Sequence, residues 1–209
     1  MTKPVDPLRL SVILFEGFEL LDVFGPVELL SKSPHCRITW CGPEVGPVAS
    51  SQGVGVVSEV AYDGVVGTET DMLLVPGGAG TRPLSRDADF LGWLADVGAA
   101  CPLIGSVCTG SALLAAAGLL DGYRATTNKK AFEWATSCGP DVEWIAEARW
   151  VRDRDRWTSS GVAAGMDMTH ALMTDLLGAE DADAAARAIE YEPHRDSSWD
   201  PFAKVYGLA

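Results

Sequence analysis

The 209-residue sequence predicts an α/β protein with a mainly parallel sheet covered on both faces, and three observations carry that expectation. Apolar strand-like runs alternate with helical runs, as strands buried on both sides and joined by crossover helices require. Two of the runs, ending at Val75 and Ser106, lead directly into turns rich in glycine and small residues. The second turn, Gly105-Ser106-Val107-Cys108-Thr109-Gly110-Ser111, passes at once into an Ala/Leu-rich segment, which gives strand, tight turn and helix.

Each element follows in order. Residues 8–15 read as a first buried strand; Gly17 opens a loop into a helix over 20–30, with Pro26 placed near the first turn of its regular part. Residues 37–41 form a second strand. Residues 47–60 alternate Val with small polar residues around Gly53 and Gly55, the pattern of a hairpin. The strand over 71–75 ends in the flexible loop 76–80, and an amphipathic helix over 87–97 leads to the strand at Leu103 and the cysteine turn. A short strand over 124–127 and a short helix over 129–137 come next. Residues 143–158 predict a strand pair whose turn is the run Arg152-Asp153-Arg154-Asp155-Arg156, read as a solvated turn. Two helices, 161–177 and 181–191, precede a tail over 192–209 whose Trp199, Phe202 and Tyr206 suit a docked segment. No linker or repeat divides the chain, so residues 1–209 are expected to form one domain.

Composition narrows the function. Hydrophobic residues make up 47% and charged residues 22% of the sequence, which excludes a largely disordered chain. A net charge of −13 without a basic stripe argues against a nucleic-acid surface, where phosphates must be neutralised. No signal core and no apolar run of membrane-spanning length is visible, so the expected location is cytoplasmic, with no membrane partner. Five cysteines without a CxxC pair disfavour both a disulfide framework and a metal site.

Among those cysteines, Cys108 alone has a turn built around it. A side chain between a strand end and a helix start lies near unpaired N–H groups, which is expected to lower its pKa and make the thiolate a nucleophile. Spacing alone leaves open a buried structural cysteine. The loop at Gly77-Gly78 also follows a strand end, so it should share an edge of the sheet with Cys108. Three histidines, His35, His170 and His194, offer little support for a Cys-His dyad, because none adjoins the cysteine turn and Thr109 follows Cys108. Asp22, set among Leu20, Leu21, Val23 and Phe24, is the more promising acid: a carboxyl in apolar surroundings has a raised pKa and can exchange a proton with a thiol. The residues also permit a helix-capping aspartate there.

Taken together, Leu21-Asp22 with Gly25-Pro26, Val75-Pro76-Gly77-Gly78, Ser106-Val107-Cys108-Thr109-Gly110-Ser111, Ala117-Gly118-Leu119-Leu120-Asp121-Gly122 and Arg124-Ala125-Thr126-Thr127 resemble the ThiJ/PfpI superfamily, and within it the isocyanide (isonitrile) hydratases. Gly161-Val162-Ala163-Ala164-Gly165-Met166-Asp167 and Glu190-Tyr191 extend the similarity. The resemblance implies a flavodoxin-like, class I glutamine amidotransferase-like sandwich, usually a homodimer. It places Cys108 on a nucleophile elbow, brings Asp22 to its sulfur, adds Thr109 to the catalytic set and makes an anion pocket from the backbone N–H groups of Gly78 and Thr109. One position departs from the pattern: Asn128 stands where related sequences commonly carry His.

The implied reaction turns an isocyanide, R–NC, into a formamide, R–NH–CHO, through a thioimidate on Cys108 with Asp22 moving protons, and needs no metal or organic cofactor. Leu21, Phe24 and Val107 are expected to suit an apolar substituent. The alternative is a cysteine-based redox or ligand sensor without turnover. Transcriptional regulators of the superfamily append a helix-turn-helix region, for which this sequence leaves neither room nor basic charge, so that reading is set aside.

Overall fold

Leu8–Ile13 form β1, an interior strand of the computed structural model, which describes residues 7–65 and 69–209. Leu10, Val12 and Ile13 are all but inaccessible to solvent, consistent with a strand covered on both faces. The chain continues through α1 (Leu20–Leu30), β2 (Cys36–Gly42), the hairpin β3 (Gly46–Ala49) and β4 (Gly55–Ser58), β5 (Val60–Ala61) and α2 (Tyr62–Val65). β6 (Met72–Val75), α3 (Thr81–Leu84), α4 (Ala88–Ala100), β7 (Leu103–Ser106) and α5 (Gly110–Ala116) follow. The remainder comprises β8 (Arg124–Ala125), α6 (Phe132–Thr136), β9 (Glu143–Trp144), β10 (Trp150–Asp153), β11 (Arg156–Ser159), α7 (Ala164–Leu177), α8 (Ala179–Ala188) and α9 (Pro201–Val205).

Seven strands make the main sheet in the order β10-β11-β7-β6-β1-β2-β5, all parallel except the edge strand β10. The strand order runs outward in both directions from β1 and β6. Right-handed crossovers therefore place helices on both faces, with α1, α7 and α8 packed together and α3 to α6 forming the second group. This is the α/β, flavodoxin-like architecture the sequence predicts.

Two expectations need correction. Pro26 lies in the middle of α1 rather than near its first turn. Proline removes one helical hydrogen bond, that to the carbonyl of Asp22, at a cost of about 3 kcal/mol. Burial of Val23, Leu29 and Leu30 holds the helix through it, since each such side chain contributes about 1.5–3 kcal/mol. The predicted strand pair over 143–158 is also split. Glu143–Trp144 pair with Arg124–Ala125 in a separate two-stranded sheet, and the hairpin proper spans β10 and β11. Its turn is at Arg154, with φ +53°, whereas Arg156 is a buried strand residue whose Nε donates to the Leu119 carbonyl at 3.2 Å. The charged run is thus solvated only in part: its alternation sends Arg156 inward, against the ring of Tyr123.

The segment after Tyr191 lies along the domain. The N–H of Asp200 donates to the Glu147 carbonyl at 2.8 Å, and that of Arg149 to the Ser197 carbonyl at 2.8 Å. Among the described residues no helix is long and apolar enough to cross a membrane.

Candidate active site

Cys108 sits two residues past the end of β7, in the turn toward α5, with φ +58°. For a residue with a Cβ this left-handed conformation costs about 1–3 kcal/mol and persists only where surrounding bonds impose it. Those bonds are present: the N–H of Val107 donates to the Val75 carbonyl at 3.0 Å, that of Cys108 to Ser160 at 3.0 Å, and that of Gly110 to Val107 at 2.9 Å. Thr127 Oγ1 and Ser111 Oγ both donate to the Cys108 carbonyl, at 3.0 and 3.2 Å. Gly110 is required by close approach, since a Cβ there would stand 2.2 Å from the Val75 carbonyl oxygen. A relay of backbone bonds ties the tail to this elbow: Ser197 accepts from Arg149, Arg149 from Ser160, and Ser160 from Cys108.

Asp22, in the first turn of α1, is fully buried. Its Oδ2 accepts the N–H of Gly77 at 2.8 Å, while Oδ1 has no partner of good geometry among the described residues. Gly77 allows this contact because a Cβ at that position would lie 2.8 Å from Oδ2 and 2.6 Å from the backbone nitrogen of Thr109. Burial first, then the charge of Glu19, pushes the Asp22 carboxyl up to about 7, while hydrogen bonding by Gly77 and by the Cys108 thiol works in the opposite direction. The raised acid expected from the sequence is therefore present.

The thiol differs from expectation. Cys108 is pushed up to about 12, chiefly by burial and next by the charge of Asp22. The helix expected to favour the thiolate, α5, is only seven residues long, and burial is the largest influence on the thiol. Three groups do pull the sulfur toward the anion: the N–H of Thr109, the side-chain amide of Asn128 and the N–H of Val162. Cys108 and Asp22 thus form a coupled pair in which an anion on one holds the proton on the other.

The loop donors are arranged otherwise than as an open pocket. The N–H of Gly78 is already engaged, donating to Thr109 Oγ1 at 3.1 Å. The Thr81 and Thr109 hydroxyls lie 3.1 Å apart, and Thr81 Oγ1 also lies 2.7 Å from the Gly78 carbonyl, which it donates to. Thr109 keeps its own N–H for the sulfur. Gly77, Gly78, Cys108 and Thr109 share the same sheet edge, as their positions after β6 and β7 imply.

Several residues fall elsewhere. Val107 is fully buried, and Gly165 at the start of α7 seats directly against it, so it packs the elbow from beneath. Leu21 and Phe24 are about two-fifths exposed on α1, with Phe24 tilted against Trp40 at 5.8 Å between ring centroids. His170 is paired with Asp183 at 2.9 Å, and among the described residues no histidine acts on Cys108. Cys36, Cys41, Cys101 and Cys138 are free thiols that burial pushes upward. The sulfur's donors Asn128 and Val162 were not assigned that role by the sequence. Asn128 was visible only as a departure from a pattern, and Val162 only within a run of small residues. Both line a cavity of about 290 Å³ beside the elbow.

An α/β sandwich with a cysteine elbow and a buried acid at its sulfur defines a class, and comparison with known proteins identifies it. Residues 8–175 match the DJ-1/PfpI family, and the chain belongs to that family. It is 32% identical over 186 residues to the isonitrile hydratase of Pseudomonas putida, covering 89% of this chain and 79% of that protein. A crystal structure of a ThiJ/PfpI family protein from Pseudomonas syringae superposes with a TM-score of 0.82 at 29% identity, covering 97% of this chain and 85% of that one. The HTH-type transcriptional regulator GbdR of Pseudomonas aeruginosa is 30% identical, matching 88% of this chain but only half of its own length.

Proposed function

We propose that this protein is an isocyanide hydratase, with Cys108 as nucleophile and Asp22 as the group that moves protons. The observation that carries the reading is the solvent-excluded Asp22 carboxyl, anchored through Oδ2 by the Gly77 N–H and hydrogen-bonded by the Cys108 thiol. Similarity to the isonitrile hydratase of P. putida supports it.

The chemistry uses the pair as found. Ionised Asp22 takes the Cys108 proton, sulfur bonds to the terminal isocyanide carbon, and the same proton passes from Asp22 to that carbon, giving the thioimidate R–N=CH–S–Cys108. Water then adds to the carbon while one of its protons travels through Asp22 to nitrogen. The resulting R–NH–CH(OH)–S–Cys108 collapses, the hydroxyl proton returns to sulfur by way of Asp22, and R–NH–CHO leaves. Thr109 N–H, Val162 N–H and the Asn128 amide stabilise the sulfur whenever it carries charge. A pKa near 7 suits an acid that must accept and release protons in turn at neutral pH.

The alternative, a redox sensor without turnover, would use the same thiol and the same neighbouring acid, so the assay of turnover separates the two readings. The test is direct: purified protein is mixed with a panel of small alkyl and aryl isocyanides while loss of isocyanide absorbance and gain of formamide are followed. Formamide production that disappears in Cys108→Ser is expected; no consumption of any isocyanide would refute the proposal.

A further inference from the structure

The cavity beside the elbow is cationic in a protein of net charge −13. Lys129, Lys130 and Arg149 line it with Asn128 and Val162, no acid among the described residues lines it, and the rings of Phe202 and Tyr206 from the tail complete its wall. The three cations are held differently. Arg149 is balanced by Asp167, whose Oδ2 accepts from Nε at 2.6 Å and from Nη2 at 2.5 Å. Lys129 is 3% exposed, and its Nζ donates to two uncharged oxygens, Thr126 Oγ1 and the Ala148 carbonyl, both at 2.6 Å. The acid that acts on Lys129 is Asp200, itself buried and capping α9 by accepting the N–H of Phe202 at 3.0 Å. Lys130 is exposed and takes part in no ion pair among the described residues. With two acids set against three cations, the wall retains one positive charge.

Burial of an ammonium against neutral oxygens costs solvation energy that an arriving anion restores. Burial accordingly lowers Lys129 to about 8, so it remains mostly charged at neutral pH. Asn128 and Val162 belong both to this cavity and to the donors at the Cys108 sulfur, so the cavity and the nucleophile share these two residues as a common wall.

We propose that the substrate taken by this site carries a carboxylate on the arm that occupies the cavity, bound by Lys129 and Lys130, with its isocyanide group directed at Cys108. This rests on the hydratase reading for the reacting group but not for the anion site. Phe202 and Tyr206 flank the arm, which suits a short aliphatic chain between the two ends.

The test separates the two ideas by using product as well as substrate. Binding of 4-formamidobutanoate and of its methyl ester to the full chain is measured by calorimetry at pH 7, and turnover of 4-isocyanobutanoate is compared with that of its methyl ester. One charge-assisted contact gives about tenfold tighter binding of the carboxylate, and the same preference should appear in kcat/KM through KM. Lys130→Ala and Lys129→Met should each shrink the preference; Lys130 is exposed, so its variant tests the idea even if the buried position proves needed for folding. Equal or weaker binding of the carboxylate, no binding of either product, or a preference untouched by both substitutions would overturn the anion site. Carboxylate-selective product binding without consumption of either isocyanide would leave the anion site standing and remove the hydratase reading.

Discussion

Replacing Asp22 by asparagine should stabilise the fold above neutrality while destroying the reaction, and the two effects come from the same burial. The carboxyl titrates near 7 in the folded protein against 3.8 when exposed. A raised pKa means that the folded state holds the proton more tightly, so stability falls as pH climbs from about 4 to about 7, where the unfolded chain has ionised and the folded one has not. The difference corresponds to about 4 kcal/mol. An asparagine side chain does not titrate, and its amide oxygen can keep the hydrogen bond from Gly77. Urea unfolding at pH 4 and pH 8 should therefore show the Asp22→Asn variant gaining on the unmodified protein by an amount of that order across the interval. Isocyanide hydration should fall by about 100-fold or more, the scale of a lost general acid/base. Because the Asp22 charge is one cause of the high Cys108 pKa, alkylation of Cys108 by iodoacetamide at pH 8 should become faster. A variant with full hydratase activity, or one whose stability gain does not grow with pH, would refute the reasoning.

Cys108→Ala should retain the fold and lose turnover, whereas alanine at Cys36, Cys41, Cys101 or Cys138 should leave chemistry intact; circular dichroism and the hydration assay decide it. Asn128→Ala removes a donor to the sulfur, so the pH midpoint of Cys108 alkylation should move upward, while Asn128→His should add a second titration to that profile near the histidine range. Gly110→Ala forces a methyl group toward the Val75 carbonyl at the elbow and should cost about 1–3 kcal/mol in denaturant unfolding. A homodimer is expected on family grounds, and light scattering should return twice 22.1 kDa; the monomer mass at micromolar concentration would remove that expectation alone.

The sheet was legible because its strands are short apolar runs ended by glycine or small residues: Met72–Val75 is buried at every position and could hardly be read otherwise. Cys108 was legible for the same reason, since a cysteine between such a run and an Ala-rich helix has few other geometries open to it. The raised Asp22 followed from its apolar neighbours. What escaped was set by tertiary context. Pro26 signals a helix start locally, but packing carries α1 through it. The direction of the Cys108 shift depends on how deeply the elbow is covered, a sum over groups as distant in sequence as Asp22 and Val162. Likewise, nothing near Lys129 in sequence reveals that the tail closes a cavity over its neighbourhood.

The main sheet also limits how this molecule can meet another. At one margin stands β5, a two-residue strand, and at the other β10, four residues long and with the short strand β8 packed beside it. β5 pairs only with Cys41 and Gly42, so along residues 36–39 β2 itself forms the first margin; Arg37 is exposed there, and a charged side chain on an edge works against the addition of a strand from a second chain. Encounters between copies can also use side-chain surfaces, such as the exposed Leu21 and Phe24 of α1. That helix also carries Asp22, so whatever rests on its outer face lies one helical diameter from the acid that works at the sulfur.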